Sequence, residues 1–337
     1  MSRWRLVGLI AVSLVVLAAC RQLFYLAPAD DYELKAAAVA KTLAARAVIG
    51  ERLVGPEYTE ITTTLGPLAA KQLSQHADFA AVAVQLLGEA GVRKGDRVAV
   101  NLSGSFPALN IAVLAAITAI GAEPVITSSV GASTWGATDP DYTWPDIEKT
   151  LVAAGIWQWR SAAVSLGGVG DRGGGLTPEG VALAQAAAGR AGVPVLVPAD
   201  LGEAIEKRLA VYGQSGDLPA ALVNVGGNQV IFGAHGHRAP LRQALTAGYL
   251  PNFAVPDGLA APFIASNRPV IHLLNVVQLA AAYGVKADSP PGTSEVMYKR
   301  TIPPAARVLI ALWLGAAGWL LWYGGRKKEW WNGPCRY

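Results

Sequence analysis

The sequence predicts an α/β fold: a doubly wound, mostly parallel sheet flanked by helices, with one apolar segment at each end of the chain long enough to span a membrane. Two observations carry the fold. Short β-branched runs alternate with Ala- and Leu-rich helical runs from Arg97 onward. Most of these runs are closed by glycine or serine, which break regular structure. That strand–Gly–helix rhythm is the pattern of a Rossmann-like sheet of roughly five or six strands. A third observation, two uncharged apolar stretches beside basic tails, carries the membrane reading.

The clearest unit runs from Arg97 to Gly131. Arg97–Leu102 is a β-branched strand, broken by Ser103-Gly104-Ser105. Pro107 stands where the first turn of a helix tolerates a missing N–H, and Ser105 is placed as its N-cap. Leu109–Ile120 is apolar on nearly every side and Gly121 stops it; about twelve residues are too few to cross a bilayer, so this is a core helix. Pro124–Ser128 is the second strand of a βαβ unit. The turn therefore puts the Ser103 and Ser105 hydroxyls at a helix N-terminus above a strand end, where anions are favoured and ligands of open parallel sheets sit. Turn and cap chemistry alone also account for Ser-Gly-Ser.

The ends divide the chain into residues 1–27, an N-terminal anchor; 28–301, an extracytoplasmic α/β domain with a helical stalk; 302–325, a C-terminal transmembrane helix; and 326–337, a basic tail. Met1–Arg5 is a basic leader, and the apolar segment after it extends through Leu26 if Arg21 snorkels. Val308–Tyr323 is the second segment, with Trp319, Trp322, Tyr323, Trp330 and Trp331 as an interfacial belt. The positive-inside rule holds both basic tails in the cytoplasm and puts Ala27–Thr301 outside the bacterial inner membrane. A second reading of the N-terminus stands beside this one: Leu17-Ala18-Ala19-Cys20 fits a lipid-modified cysteine after a cleaved signal peptide.

In the body, Asp30–Leu53 is an Ala-rich helix with acids in its first turn, and Asp78–Gly91 is another. After Ser128 comes a long small-residue loop, Ser129 to Trp144, tipped with Trp135, Asp139 and Asp141, which suits a binding loop. Trp135 and Trp144 either cover a ligand or plug the core edge. Asp146–Ala154 (helix), Ala162–Leu166 (strand), Thr177–Gly192 (helix), Val193–Val197 (strand), Gly202–Tyr212 (helix) and Ala220–Val225 (strand) follow. Between them, Gly167–Gly175 is read as a mobile loop; it lacks the Lys-Ser/Thr ending of a phosphate loop and the third glycine of the dinucleotide fingerprint. Gly226-Gly227-Asn228 ends the last of these strands, and Gln229–Phe232 resumes β character. Pro269–Tyr283 is read as a helix and Ala287–Thr293 as a linker to the second span.

Composition limits the partners. The 337 residues carry 52% hydrophobic content and a formal net charge of +4. Six of the 28 basic residues but one of the 24 acidic residues lie in the tails, which leaves 22 and 23 between positions 6 and 325. A neutral body does not suit a nucleic acid. The cysteines, Cys20 and Cys335, stand at opposite ends and give neither a disulfide framework nor metal-ligand spacing. His235-Gly236-His237 is a pair in search of a third ligand, so no metal is assigned, and no motif calls for a cofactor.

The stretches Asn101–Asn110, Ser128–Gly136 and Asn224-Val225-Gly226-Gly227-Asn228, with the anchor–body plan, resemble the poly-γ-glutamate system protein family, membrane-anchored accessory components of bacterial poly-γ-glutamate synthesis and export. The resemblance implies a non-enzymatic role in making a capsule-type anionic polymer, with the bilayer, the synthesis and export subunits and the polymer as partners. A polymer with one carboxylate per unit asks for donors at a local site, and Ser103, Gly104, Ser105, Ser128, Ser129, Trp135 and Asn228 are the expected ligand-binding residues. The alternative is a hydrolase or transferase on the polymer, with Ser103 or Ser105 as nucleophile, His235 or His237 as base and Asp139 or Asp141 orienting it. Gly-x-Ser-x-Gly is absent from this stretch, so no nucleophile-elbow signature supports it.

Overall fold

Seven strands make the central sheet of the structure, a computed structural model describing residues 25–213, 216–234, 244–246, 258–301 and 304–329. Ahead of the sheet come α1 (Tyr32–Ile49), α2 (Leu68–Ser74) and α3 (Phe79–Glu89). Then β1 (Arg97–Ser103), α4 (Pro107–Ile120), β2 (Glu123–Ser129), α5 (Trp144–Ala153), β3 (Ala163–Ser165), α6 (Pro178–Arg190) and β4 (Val195–Leu196) alternate. The helix α7 (Leu201–Gly213) leads to β5 (Ala221–Val225). After it come α8 (Gln229–Phe232), β6 (Ala244–Thr246), α9 (Ala260–Ala265), β7 (Val270–Leu273) and α10 (Val276–Tyr283).

The strand order is β6-β7-β5-β1-β2-β3-β4, six strands parallel and the edge strand β6 antiparallel to β7. The chain starts in the middle, winds outward through β2, β3 and β4, then crosses back to lay β5 on the other side of β1. The sheet is thus doubly wound, and its order reverses between β1 and β5. Both faces are covered, as a parallel sheet requires. The β1 side chains of Val98, Val100 and Leu102 are buried, and α1, α3 and α4 pack together. On the opposite face Ala99, Leu222 and Val270 pack with Ile205, Tyr212 and Phe263 of α7 and α9.

Pro107 opens α4 and every residue from there to Ile117 is buried, which is why its sequence shows no polar face. Gly121 closes it in the left-handed region (φ 78°), as read from the sequence. Leu114 is fully buried in it, and its truncation to Ala would cost about 2–5 kcal/mol. Ser105, however, is not the cap. The helix starts at Pro107 with Phe106 in the N-cap position and no side-chain cap bond, so Ser105 is one residue too early and its hydroxyl turns elsewhere. The expectation of one helix over Pro269–Tyr283 is also corrected: Val270–Leu273 is a strand and only Val276 onward is helical. Gln229–Phe232 is a helical turn, not a strand, capped by the Asn228 side chain.

Contacts divide the chain into the unit Asp30–Met297 and a second unit of residues 1–29 with 298–337. In the second, Tyr25–Pro28 pairs antiparallel with Tyr298–Thr301, Tyr25 opposite Thr301. It also contains α11 (Pro304–Glu329), which leaves Val308, Leu312, Leu314, Trp319 and Trp322 exposed. Among the described residues no helix is long and apolar enough to cross a membrane. The N-terminal segment to Phe24 and the tail from Trp330 lie outside the described residues.

Candidate functional site

A cleft of about 750 Å³ opens above the carboxyl ends of the central strands, a volume typical of small-molecule sites. Five strand ends feed it: Ser103 from β1, Ser129 from β2, Gly167 after β3, Gly227-Asn228 after β5 and Leu274-Asn275 after β7. It sits at the point where the strand order reverses, the place where open α/β sheets bind ligands.

One wall is built by the serine turn. Ser103 Oγ accepts the Ser105 N–H at 3.1 Å and lies 3.0 Å from Ser105 Oγ. Ser105 Oγ also accepts the Ser133 N–H at 2.9 Å. Gly104 holds this turn against the next loop: a Cβ there would stand 2.6 Å from the Val130 carbonyl oxygen. Ser133 lines the same cleft, and its hydroxyl accepts from Lys71 Nζ at 2.6 Å. The same ammonium donates to the Ser105 carbonyl and lies 3.7 Å from the Phe106 ring centroid. Burial draws the Lys71 pKa down to about 7, while the carbonyl and the ring face favour the charged form.

Beneath the cleft a row of polar side chains crosses four strands in register: His272, Asn224, Asn101 and Thr127. Asn101 Nδ2 donates to Asn224 Oδ1 at 2.6 Å, and Asn224 Nδ2 lies 2.9 Å from His272 Nδ1. An imidazole nitrogen that accepts must be unprotonated, and burial agrees, lowering the His272 pKa to about 4. Thr127 Oγ1 bonds the Tyr212 hydroxyl at 2.6 Å, and burial pushes that phenol up to about 12.

Arg208 of α7 gathers the row. Its guanidinium donates to Asn101 Oδ1 and Thr127 Oγ1, both at 2.8 Å, and to Ser165 Oγ at 2.7 Å. Its Nε and Nη2 grip the Asp171 carboxylate at 2.9 and 2.8 Å. Both residues are buried, and Asp171 adopts a left-handed backbone (φ 61°) that a non-glycine residue rarely takes. Asp171 belongs to the glycine run, so the reading of Gly167–Gly175 as a mobile loop is corrected. A buried ion pair and the Ser165 bond to Asp171 (2.7 Å) pin it to the sheet, and its Gly167, Gly168 and Val169 form a cleft wall.

Of the expected site residues, Ser103, Ser105, Ser129 and Asn228 line the cleft. Asn228 spends Oδ1 on the Val230 N–H (2.8 Å), while its buried Nδ2 has no partner among the described residues. Gly104 acts through its backbone only. Ser128 faces away, because strand side chains alternate: its hydroxyl lies 2.8 Å from Ser161 Oγ. Trp135 is half-buried with φ 63°, its N–H directed at the Pro56 and Glu57 carbonyls, and it does not line the cleft. Trp144 is fully buried and plugs the core. Asp139 accepts the Asp141 N–H in its own loop and is also outside the cleft lining. His235 and His237 lie outside the described residues. Among the described residues no cluster of three His, Cys, Asp or Glu could hold a metal.

Sequence reasoning missed Lys71, Ser133, Asp171 and Arg208. Arg208 carries a legible signal: Ala204, Ile205, Arg208, Val211 and Tyr212 form one buried stripe at helical spacing, so an arginine stands on an apolar face.

No protein-family model matches the chain, and no curated protein does. Among solved structures it is similar to an archaeal alanine:glyoxylate aminotransferase at 14% identity and a TM-score of 0.16, over 64% of this chain and about half (48%) of that one. A likeness that weak carries no argument about fold or function.

Proposed function

We propose that this chain is a membrane-tethered accessory protein of poly-γ-glutamate synthesis and export, and that its cleft receives a carboxylate-bearing stretch of the polymer. The observation that carries the reading is the convergence of Ser103, Ser105, Ser129 and Ser133 on one cleft at the switch point. Hydroxyls and glycine backbone are the donors a carboxylate needs without a fixed counter-charge. The resemblance of Asn101–Asn110, Ser128–Gly136 and Asn224–Asn228 supports it too, since parts of all three stretches line the cleft. A cleft of about 750 Å³ suits a chain end or a few units better than a long polyanion track.

The tether is argued from the ends. Tyr25 pairs with Thr301, so the segments before and after this ribbon leave from adjacent points. The exposed Leu and Trp side chains of α11 favour an apolar or interfacial setting. The body then sits on the outer side of the bacterial inner membrane. Protease added to intact spheroplasts should digest it; survival overturns the placement.

The binding reading is tested by calorimetry on the full chain in detergent, titrated with short γ-linked and α-linked glutamate oligomers. Saturable binding of the γ-linked oligomer, weakened by Ser129→Ala, supports it. No heat with either oligomer, or unchanged polymer yield and length on deletion of the protein, overturns it.

A further inference from the structure

Among the described residues of the Asp30–Met297 unit, the buried lysine and arginine side chains are Lys35, Lys71 and Arg208. Lys35 pairs with Asp31 at 2.8 Å and Arg208 with Asp171 at 2.8 Å. Among the described residues Lys71 has no carboxylate partner, although it is only 2% exposed. An ammonium held out of water without a counter-ion is costly, and the ordinary relief is to lose its proton. The amine that results would stand 2.6 Å from a serine hydroxyl that lines the cleft.

We propose that Lys71 and Ser133 form a serine–lysine pair that transfers acyl groups from amides or esters bound in the cleft. This is the general-base arrangement of a Ser nucleophile with Lys in place of His. Two features position it. Ser133 is fixed by its N–H to Ser105 Oγ, and Lys71 by the Ser105 carbonyl and the Phe106 face. Gly66, also in the cleft lining, keeps the space beside the pair open: a Cβ there would stand 3.2 Å from Ser133 Oγ and 3.5 Å from Lys71 Cε.

The chemistry balances with water alone. Neutral Lys71 takes the Ser133 hydroxyl proton as Oγ bonds to the substrate carbonyl carbon. The ammonium returns that proton to the leaving nitrogen or oxygen as its bond to carbon breaks, leaving acyl-Ser133. Water, or an amine acceptor, then attacks the acyl carbon and gives its proton to Lys71. The C–Oγ bond breaks, and Lys71 hands the proton back to Ser133. That the amide is a γ-glutamyl bond rests on the polymer-binding reading; the pair itself does not.

The test therefore uses a probe unrelated to glutamate. The full chain in detergent is treated with a fluorophosphonate, and the adduct is mapped by mass spectrometry beside the calorimetric titration. The expected result is one adduct on Ser133, absent in Ser133→Ala. It should form at least about 100-fold more slowly in Lys71→Met and in Lys71→Arg, since arginine keeps the charge but cannot act as base. No adduct on Ser133, or an adduct rate in folded Lys71→Met equal to that of the parent, overturns the proposal. If both lysine variants fail to fold, the parent and Ser133→Ala decide it by the presence or absence of the adduct. Oligomer binding without an adduct retains the binding function and removes the catalytic one; an adduct without oligomer binding does the reverse.

Discussion

Asn101 of β1 stands in register with Asn224 of β5, and its amide donates to the Asn224 side-chain oxygen at 2.6 Å across the line where the strand order reverses. The two wings of the sheet are thus joined by a side-chain bond as well as by backbone pairing. The Asn101 side-chain oxygen accepts from Thr127 and from Arg208, which reaches on to Asp171 in the cleft wall. A polar side chain at the centre of a buried parallel sheet is costly unless satisfied. The two asparagines and the arginine satisfy one another, so their identities are interdependent.

The Arg208–Asp171 pair should show this dependence. Arg208→Met leaves the Asp171 carboxylate buried and unpaired, at a cost of about 3–5 kcal/mol. Asp171→Asn in the same background removes the stranded charge and should recover a large part of it. Thermal unfolding of the three proteins measures both steps. Limited proteolysis should find new cleavage between residues 167 and 175 in Arg208→Met, because the loop has lost its pin.

Stability should respond to pH through two buried groups of opposite sign. Glu148 accepts from the Ser161 N–H at 2.7 Å and from Ser161 Oγ at 3.1 Å, yet burial outweighs these bonds and raises its pKa from 4.5 to about 7. Folding takes up a proton between those values, so this contribution is full below about 4.5 and is lost as the pH rises to about 7. His272 is lowered from 6.5 to about 4, so its contribution is full above about 6.5 and is lost as the pH falls towards about 4. Each is worth about 3 kcal/mol. In the parent they oppose each other between about pH 4.5 and 6.5, which makes stability nearly flat there. Glu148→Gln should make stability rise with pH across that window, and His272→Asn should make it fall. Denaturant midpoints at a series of pH values read both slopes; parallel profiles for the two variants would contradict the assignment.

Gly104 should tolerate no side chain. Its φ is not the reason; the neighbouring strand end is, since a Cβ would meet the Val130 carbonyl oxygen at 2.6 Å. Relieving that contact must move the serine turn or the β2 exit loop, at a cost of about 1–3 kcal/mol for Gly104→Ala. Gly155→Ala, where a Cβ meets nothing within 4 Å but φ is 72°, should cost about 1 kcal/mol and leave the cleft alone. Comparing the two by melting temperature and oligomer affinity separates crowding at the site from backbone strain remote from it.

The legible parts of the chain are those whose cause is local. The unit Arg97–Ser129 could be read because its helix is apolar throughout, opens on Pro107 and stops on Gly121. The Rossmann-like sheet follows from that rhythm, and the four cleft-lining residues Ser103, Ser105, Ser129 and Asn228 follow from their place at strand ends. The strand at Val270–Leu273 was not separable from the helix after it, because a short continuous apolar run fits either. The partners of Lys71 and Arg208 were illegible for another reason: they are remote, Arg208 being 107 positions from Asn101 and Lys71 62 from Ser133. The ribbon of Tyr25–Pro28 with Tyr298–Thr301 is more remote still, and two four-residue strands carry no pattern that names each other.

The serines of the cleft should divide into a binding group and a building group. The Ser129 hydroxyl makes no hydrogen bond among the described residues although the residue lines the cleft, so it is the one ready to meet a ligand. Ser129→Ala should leave the melting temperature unchanged and weaken γ-linked oligomer binding about tenfold, the worth of one hydrogen bond to a charged acceptor. Ser105 already serves the fold, accepting the Ser133 N–H and bonding Ser103. Ser105→Ala strands that buried N–H and should cost about 1–3 kcal/mol of stability. It should also loosen Ser133, and so slow the fluorophosphonate adduct without removing Lys71. Equal melting temperatures for the two variants would mean that Ser105 is as free as Ser129, and that the wall of the cleft is held by something other than its serines.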